Sequence, residues 1–172
     1  EHVLILDNAY LLDKQAETFK NEMLKNPRVK NATLSSYLPV PSSRNGSAVF
    51  PEGQLADKNS TSMQTWTIDY DYIDTLGMKL TAGRNFSREF STDTSAVIIN
   101  RAAAEQFGWQ EPLGKRLSRF TSNEGDSATY TVIGVVENFH FESLRNTIGP
   151  LVMFLGESRG LISFRINSGD IP

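Results

Sequence analysis

Residues 95–117, SAVIINRAAAEQFGWQEPLGKRL, carry the clearest structural signals in the chain. The apolar run Ala96–Ile99 predicts a buried strand, and Asn100 follows as the N-cap of a two-turn helix. Gly108 suits the left-handed position that closes such a helix, and Pro112-Leu113-Gly114 predicts a turn. A strand, a helix and a turn are therefore expected in close succession.

Two further blocks lie on either side of this stretch: MQTWTIDYDYIDTLGMKLTAGRNFS at residues 63–87 and YTVIGVVENFHFESL at residues 130–144. The first predicts a strand and then a short helix, Tyr70–Leu76, which Gly77 closes in the left-handed conformation. Gly83 in the same block suits a tight chain reversal before Arg84. The second contains Val132–Val136, a run that is apolar on both faces, as a central strand should be.

In this order, the three blocks resemble the extracytoplasmic core domain of MacB-like, FtsX-like ABC transporter permeases. The family pattern reads "lGm.l..GR.Fs" at residues 76–87, "viiN..aa..fGw..PlGk.l" at residues 97–117 and "eNFHFeSL" at residues 137–144. The resemblance covers nearly the whole chain. It implies a mixed α/β (α+β) fold, in which a porter-like subdomain of two β-α-β units carries a smaller inserted α+β subdomain.

The same resemblance implies how the chain is divided. Residues 1–82 form the first part of the porter-like subdomain, residues 83–140 form the insert, and residues 141–172 return to the porter-like subdomain. The sequence holds no membrane-spanning segment and no ATP-binding domain. We therefore expect it to be an excised region of a longer protein.

The function that the resemblance implies is mechanical and not enzymatic. Permeases of this family couple ATP hydrolysis by a separate cytoplasmic ATPase subunit to shape changes on the far side of the membrane. The implied partners are a second copy of the permease, that ATPase, and periplasmic or outer-membrane proteins. The domain would lie on the periplasmic side of the bacterial inner membrane and help to export or extract a substrate or to control partner proteins.

Composition excludes several other functions. A net charge of −3 gives no basic surface for phosphate backbones, so nucleic acid is not expected as a partner. The chain has no cysteine, which excludes thiol catalysis, disulfides and cysteine metal sites. Its longest apolar runs are far shorter than the ~20 residues that cross a bilayer.

A β-α-β unit is predicted at the start of the chain. The apolar run Val3–Leu6 indicates a buried strand. Helical spacing then places Leu12, Ala16, Phe19 and Met23 on one face of a helix, with Lys20 among the polar residues of the opposite face. Pro27 ends the helix, and Val29–Tyr37 is the second strand.

Less regular structure is expected in two other regions. Residues 39–62 are rich in proline, glycine and serine, which predicts a long exposed connection with one edge strand at Ala48–Phe50. Residues 115–120 and 129–136 are predicted to be strands joined by a polar loop. Near the C-terminus, Leu151–Leu155 and Leu161–Ile166 are predicted to form a hairpin.

Two motifs suggest ligand binding, but structural roles explain them better. Asp69, Asp71 and Asp74 have the spacing D-x-D-x-x-D, yet a calcium loop needs more oxygen ligands and a glycine within a twelve-residue turn. We therefore expect these carboxylates to cap a helix. Residues 108–115 carry two glycines and a lysine as a phosphate-binding loop does, but the glycine spacing is wrong and the segment follows a helix.

His140 and Arg84 are the remaining candidates. His140 lies near Glu137 and Glu142, but a metal site needs three or four converging ligands and the sequence identifies no third. Arg84 is expected to bridge several carbonyls or a carboxylate at a subdomain junction. We therefore predict no catalytic, cofactor-binding or metal-binding residue, and no cofactor.

Two alternatives to the mechanical function remain open. One is a stand-alone periplasmic module that binds a small ligand in a cleft, which requires a deep apolar pocket with convergent polar groups. The other is a hydrolase with a pair of carboxylates that the sequence does not single out, which requires strongly perturbed carboxylates in a cleft.

Overall fold

The computed structural model describes residues 2–40, 46–56, 59–139, 148–158 and 160–167. The helices there are α1 (Ala16–Leu24), α2 (Tyr72–Leu76) and α3 (Arg101–Gln106), with 3₁₀ turns at Ala9–Gln15 and Ser91–Ser95. The strands are β1 (His2–Asp7), β2 (Val29–Ser35), β3 (Ser47–Pro51), β4 (Thr61–Ile68), β5 (Leu80–Gly83), β6 (Ala96–Asn100), β7 (Arg116–Phe120), β8 (Ser127–Val136), β9 (Leu151–Leu155) and β10 (Leu161–Ile166). The mixed α+β fold that the sequence predicts is confirmed.

The chain divides into two compact units. The first unit comprises residues 1–38, 67–78 and 155–172, and the second comprises residues 39–66 and 79–154. The chain therefore passes from one unit to the other four times. These units differ from the predicted segments 1–82, 83–140 and 141–172, because Val49 and Met63 are buried in the core of the second unit.

The first unit is built on antiparallel strands. β10 lies between β1 and β2, and Ser35 at the end of β2 pairs with Ile68 at the end of β4. One face of β2 and β10 packs against Ala16 and Phe19 of α1, and the rings of Phe19 and Phe164 meet edge to face at 6.2 Å. The predicted apolar face of α1 is therefore confirmed.

The burial predicted for β1 is wrong. β1 is a strand, but its four apolar residues Val3–Leu6 are all exposed, Leu4 by 55%. The helix α1 lies over β2, and β1 has β10 as its one neighbour in the strand order. A strand at the edge of a sheet buries less surface than a central one, and the sequence pattern alone does not distinguish the two positions.

The second unit contains a closed ring of six strands. The order is β4, β3, β7, β8, β6 and β9, and β9 pairs again with β4. Four neighbouring pairs, β4–β3, β3–β7, β7–β8 and β6–β9, are antiparallel, and β6–β8 is parallel. β4 and β9 also run parallel, because the Gln64 N–H bonds to the Pro150 carbonyl and the Gly156 N–H to the Ile68 carbonyl. Each strand contributes a buried residue to the core of this unit: Val49, Met63, Val97, Leu117, Val132 and Phe154. A ring of strands leaves no free edge along this core.

Two strand predictions are wrong in this part of the chain. The segment around Val49 is not an edge strand, because β3 pairs with both β4 and β7. Residues 151–155 and 161–166 do not form a hairpin: β9 pairs with β6 and β4, while β1 and β2 occupy the two edges of β10. The hairpin of β7 and β8 and the central position of Val132–Val136 are confirmed.

Candidate functional site

A buried ion-pair cluster, the Asp69 cluster, lies in the first unit. It consists of Lys20, Thr33, Leu34, Asp69 and Asp71. The Asp69 carboxylate accepts hydrogen bonds from the Leu34 N–H (2.8 Å), the Thr33 hydroxyl and the Asp71 N–H (3.1 Å). The Lys20 ammonium donates to Asp69 at 3.1 Å and to Asp71 at 3.3 Å.

The Asp69 cluster joins three elements of the first unit. Lys20 comes from α1, Thr33 and Leu34 from β2, and the two aspartates from the segment between β4 and α2. Burial lowers the pKa of Lys20, but its attraction to Asp69 and its hydrogen bonds with Asp69 and Glu17 outweigh burial, so that the pKa is raised. Lys20 therefore stays charged while its side chain is 2% exposed.

These contacts correct two predictions. Lys20 does not lie on an exposed face of its helix but is buried beside Ala16, one helical turn earlier. Asp71 precedes α2, but its side chain makes no capping hydrogen bond. Asp74 does lie in the first turn, near the positive end of the helix, as predicted. The aspartates hold β2 and α1 through charge-assisted hydrogen bonds, which are about twice as strong as neutral ones.

The second unit has an ion pair of its own, between the partly exposed Arg84 and the buried Asp93. Arg84 donates two hydrogen bonds to Asp93, at 2.6 and 2.7 Å, and a third to the carbonyl of Asn85 at 3.0 Å. The Asp93 side chain is 1% exposed and also accepts the Ser87 N–H at 2.8 Å. The guanidinium carbon of Arg84 lies 4.2 Å from the centroid of the Phe90 ring.

The electrostatics of this pair follow from its geometry. The hydrogen bonds from Arg84 hold the pKa of Asp93 below its ordinary value, against the effect of burial, and the Ser87 N–H adds to this. The same hydrogen bonds raise the pKa of Arg84. The predicted role of Arg84 as a bridge to a carboxylate is confirmed, within the second unit.

Two asparagines hold the beginning of α3. The side-chain oxygen of Asn100 accepts the N–H groups of Ala103 and Leu151, each at 2.9 Å, and its amide donates to the carbonyl of Gly149 at 2.9 Å. Asn138 accepts the N–H of Ala102 at 2.9 Å. The predicted N-cap is confirmed, and the same side chain also fixes the start of β9.

The other two motifs that suggested ligand binding form no such site among the described residues. Among those residues, no three histidine or carboxylate side chains converge as a metal site requires. The candidate His140 lies outside the described residues. The segment that resembles a phosphate-binding loop forms the predicted turn instead, with the Lys115 N–H bonded to the Pro112 carbonyl at 3.1 Å.

Comparison with known proteins decides the family. Residues 10–169 match the model of the MacB-like periplasmic core domain. The chain belongs to the MacB-like periplasmic core domain family. A search among curated proteins finds no significant match.

Solved structures of such domains have the same fold. The periplasmic region of MacB from Actinobacillus actinomycetemcomitans aligns with a TM-score of 0.61 at 20% identity, over 99% of this chain and 76% of that one. The extracellular domain of the ABC-type transporter YknZ from Gram-positive bacteria aligns with a TM-score of 0.59 at 19% identity, over 90% of this chain and 74% of that one. Both are extracytoplasmic regions of transporters. In this chain, none of the described helices is long and apolar enough to span a bilayer.

Residues of the MacB-like pattern occupy the structural sites described above. Gly77 and Gly108 end their helices with φ of 68° and 69°, as predicted. Gly83 has a φ of 70°, but the chain reversal predicted there is wrong. Gly83 ends β5, and the Arg84 N–H continues the pairing by donating to the Ile133 carbonyl. A Cβ at residue 83 would collide with the carbonyl oxygen of Ile133.

Sequence reasoning missed three residues of these sites. Lys20 follows the buried Ala16 by four residues, and this spacing would have placed it on the same face. Asn138 stands in the family pattern without an assigned role. Asp93 lies in a short polar segment, Ser91–Ser95, that carries no signal of burial in the sequence.

Proposed function

We propose that this domain transmits ATP-driven conformational change across the membrane as part of a permease. A separate cytoplasmic ATPase supplies the energy, and the domain acts on the periplasmic side of the bacterial inner membrane. The permease thereby exports or extracts a substrate, or controls partner proteins. Membership of the MacB-like periplasmic core domain family is the observation that carries the proposal.

The internal construction of each unit supports this role. Motion is relayed by bodies that keep their shape and have discrete arrangements. The first unit is held by the Asp69 cluster, and the second by the Arg84–Asp93 pair and its ring of strands. Each unit thus has buried, charge-assisted contacts that resist internal deformation.

The partners follow from the same proposal. A second copy of the permease would carry an identical domain, so that the two domains face each other and separate or approach as ATP is hydrolysed. Periplasmic or outer-membrane proteins would bind the exposed faces of the domain. Direct binding of ATP is assigned to the ATPase and not to this chain.

A ligand-binding module has weaker support. A groove of about 210 Å³ lies in the first unit, lined by Leu4, Met23, Asn26, Arg28, Val29, Phe164, Ile166 and Asn167. Pockets for small molecules are usually ~300–1,000 Å³ and combine apolar walls with convergent polar groups. This groove is smaller, and its walls are mostly apolar side chains.

A reversible cross-link in the full-length permease tests the proposal. Lys25 is a suitable position for an introduced cysteine, because its side chain is 70% exposed and this chain contains no other cysteine. Thiol-specific cross-linkers of increasing length would join the Lys25→Cys residues of two copies. Transport should stop while the link is intact and return on reduction, and reagent that reacts at one end only serves as the control.

The proposal is wrong if transport continues unimpaired in the linked dimer. Measuring ATP hydrolysis in the same samples separates two causes of inhibition. A linked permease that still hydrolyses ATP has lost the coupling between hydrolysis and transport, whereas one that is inactive in both assays has been stopped as a whole.

A further inference from the structure

Arg119 has an unusual environment at the end of β7. Its guanidinium carbon lies 3.8 Å from the centroid of the Phe154 ring and 5.5 Å from that of Tyr130. The two rings meet edge to face at 4.8 Å. Arg119 follows Leu117 by two residues, so both side chains lie on the same face of β7. The guanidinium therefore rests on aromatic residues at the border of the second unit's core.

This guanidinium has no hydrogen-bond or ion-pair partner among the described residues. Its Nε–H is buried without an acceptor. In contrast, Arg116 on the same strand pairs with Glu52 at 3.1 Å. Asp126, in the loop that follows β7, accepts the Ser122 hydroxyl at 2.9 Å instead of pairing with Arg119.

Such an arrangement prepares an arginine for binding. Stacking on a ring fixes the plane of the guanidinium, so little side-chain entropy is lost when it binds an anion. An arginine stacked on rings with free donors is typical of the central residues of protein interfaces. Since Arg119 is half-buried and not fully enclosed, part of its side chain faces solvent.

We propose that Arg119 binds a carboxylate in an acidic segment of a partner protein. A single planar guanidinium matches one carboxylate, with two parallel hydrogen bonds. A phosphate group is a poorer match, because phosphate sites usually gather several cations or helix N-termini. The uncompensated positive charge of Arg119 is what such a segment complements.

The next residue, Phe120, lies on the opposite face of β7 and is not part of the Arg119 site. Phe120 is 46% exposed, although its ring packs edge to face on Phe50 at 5.3 Å. This proposal stands independently of the mechanical role, since it concerns binding alone.

The test follows the ¹⁵N–¹H signal of the Arg119 Nε–H by NMR in the 172-residue chain. Arg119→Lys removes that signal and so assigns it. The probes are two blocked peptides, Ac-Ala-Leu-Glu-Ala-NH₂ and the same peptide with glutamine in place of glutamate. Inorganic phosphate is the third probe, and Arg116→Gln is the matched control variant.

The glutamate peptide should shift the Arg119 signal until the site is saturated. The glutamine peptide should bind at least about tenfold more weakly, because it loses a hydrogen bond between charged groups. Arg119→Gln should weaken glutamate-peptide binding, measured on neighbouring backbone amides, by a similar factor, while Arg116→Gln leaves it unchanged. The proposal fails if the signal does not move at about 10 mM peptide, at which even a millimolar site is mostly occupied. It also fails if the glutamine peptide or phosphate binds as well as the glutamate peptide.

Discussion

Replacing Lys20 with methionine should destabilise the first unit by about 3 kcal/mol. The Lys20 side chain is 2% exposed, and its ammonium contacts Asp69, Asp71 and Glu17 at 3.1–3.3 Å. Removing one partner of a buried ion pair usually costs about 3–5 kcal/mol, because the other charge is left uncompensated. Methionine fills much of the volume of lysine, so a cavity adds little.

The geometry places the cost at the lower end of that range. Glu17 is 54% exposed and is solvated readily once Lys20 is gone. Asp69 is 13% exposed and keeps its hydrogen bonds from Thr33, Leu34 and the Asp71 backbone. What remains is one partly satisfied carboxylate without its cation.

The assay is native-state hydrogen exchange at the Leu34 amide, which donates to Asp69. Exchange reports the first unit directly, whereas the two tryptophans, Trp66 and Trp109, both lie in the second unit. A loss of about 3 kcal/mol corresponds to exchange faster by about 100-fold. In the double variant Lys20→Met, Asp69→Asn the loss should be smaller than the sum of the two single losses, because the uncompensated charge is removed.

Lys25→Met is the matched control. Lys25 contacts Glu22 at 2.6 Å, but the two side chains are 70% and 61% exposed. Exposed pairs contribute at most about 1 kcal/mol. If Lys20→Met accelerated exchange no more than Lys25→Met, the Asp69 cluster would not stabilise this unit and the reasoning would be refuted.

The remaining predictions concern the second unit, whose free energy of unfolding is measured by urea denaturation with tryptophan fluorescence. Asp93→Asn should cost roughly 1–3 kcal/mol at neutral pH. The pKa of Asp93 is held below its unfolded value, so the difference in unfolding free energy between the wild-type chain and this variant should shrink as the pH falls below about 4. A difference that stays constant in acid would contradict the assigned role of the Asp93 carboxylate. Gly108→Ala should cost about 1 kcal/mol, because alanine is strained at its positive φ. Gly83→Ala should cost about 3 kcal/mol or more, because its Cβ would also collide with the Ile133 carbonyl, whereas a Cβ at residue 108 would contact no neighbouring atom. Equal costs for the two variants would show that the collision does not occur. Asn100→Ala should cost about 2 kcal/mol through loss of the cap and of an acceptor for the β9 backbone, and an effect below about 0.5 kcal/mol would show that water replaces it.

Local features of the fold were predictable because they depend on a few neighbouring residues. Gly77 and Gly108 occupy left-handed positions after helices, and Asn100 caps α3, as residue type and position indicated. Such features need no knowledge of distant parts of the chain. The same holds for β7 and β8, two strands joined by a loop of six residues.

Features that depend on distant pairing were not predictable from the pattern. Val3–Leu6 is as apolar as a central strand, yet its place at the end of the strand order leaves it exposed. β9 and β10 are neighbours in the sequence but pair in different units. β10 pairs with β2 and β9 pairs with β6, and a pattern of apolar residues does not encode which strands pair over such distances.

The candidate sites show the same limit. Arg84 was recognised because a pattern of glycine, arginine and phenylalanine surrounds it, but its partner Asp93 lies nine residues away in an unremarkable polar segment. Lys20 and Asp69 are 49 residues apart, and their contact depends on how α1 and the end of β4 meet at β2. Charged residues that pair across such distances look like surface residues until the fold is known.

Transmission of motion by this domain can be tested through the distance between its two copies in the full-length permease. Spin labels on Lys25→Cys of each copy report that distance by pulsed electron resonance, in the absence of nucleotide and during ATP turnover. We predict that the distance distribution during ATP turnover differs from that without nucleotide, and that a variant that binds but does not hydrolyse ATP is held in one distribution when ATP is present. An unchanged distribution in a permease that is actively transporting would contradict it.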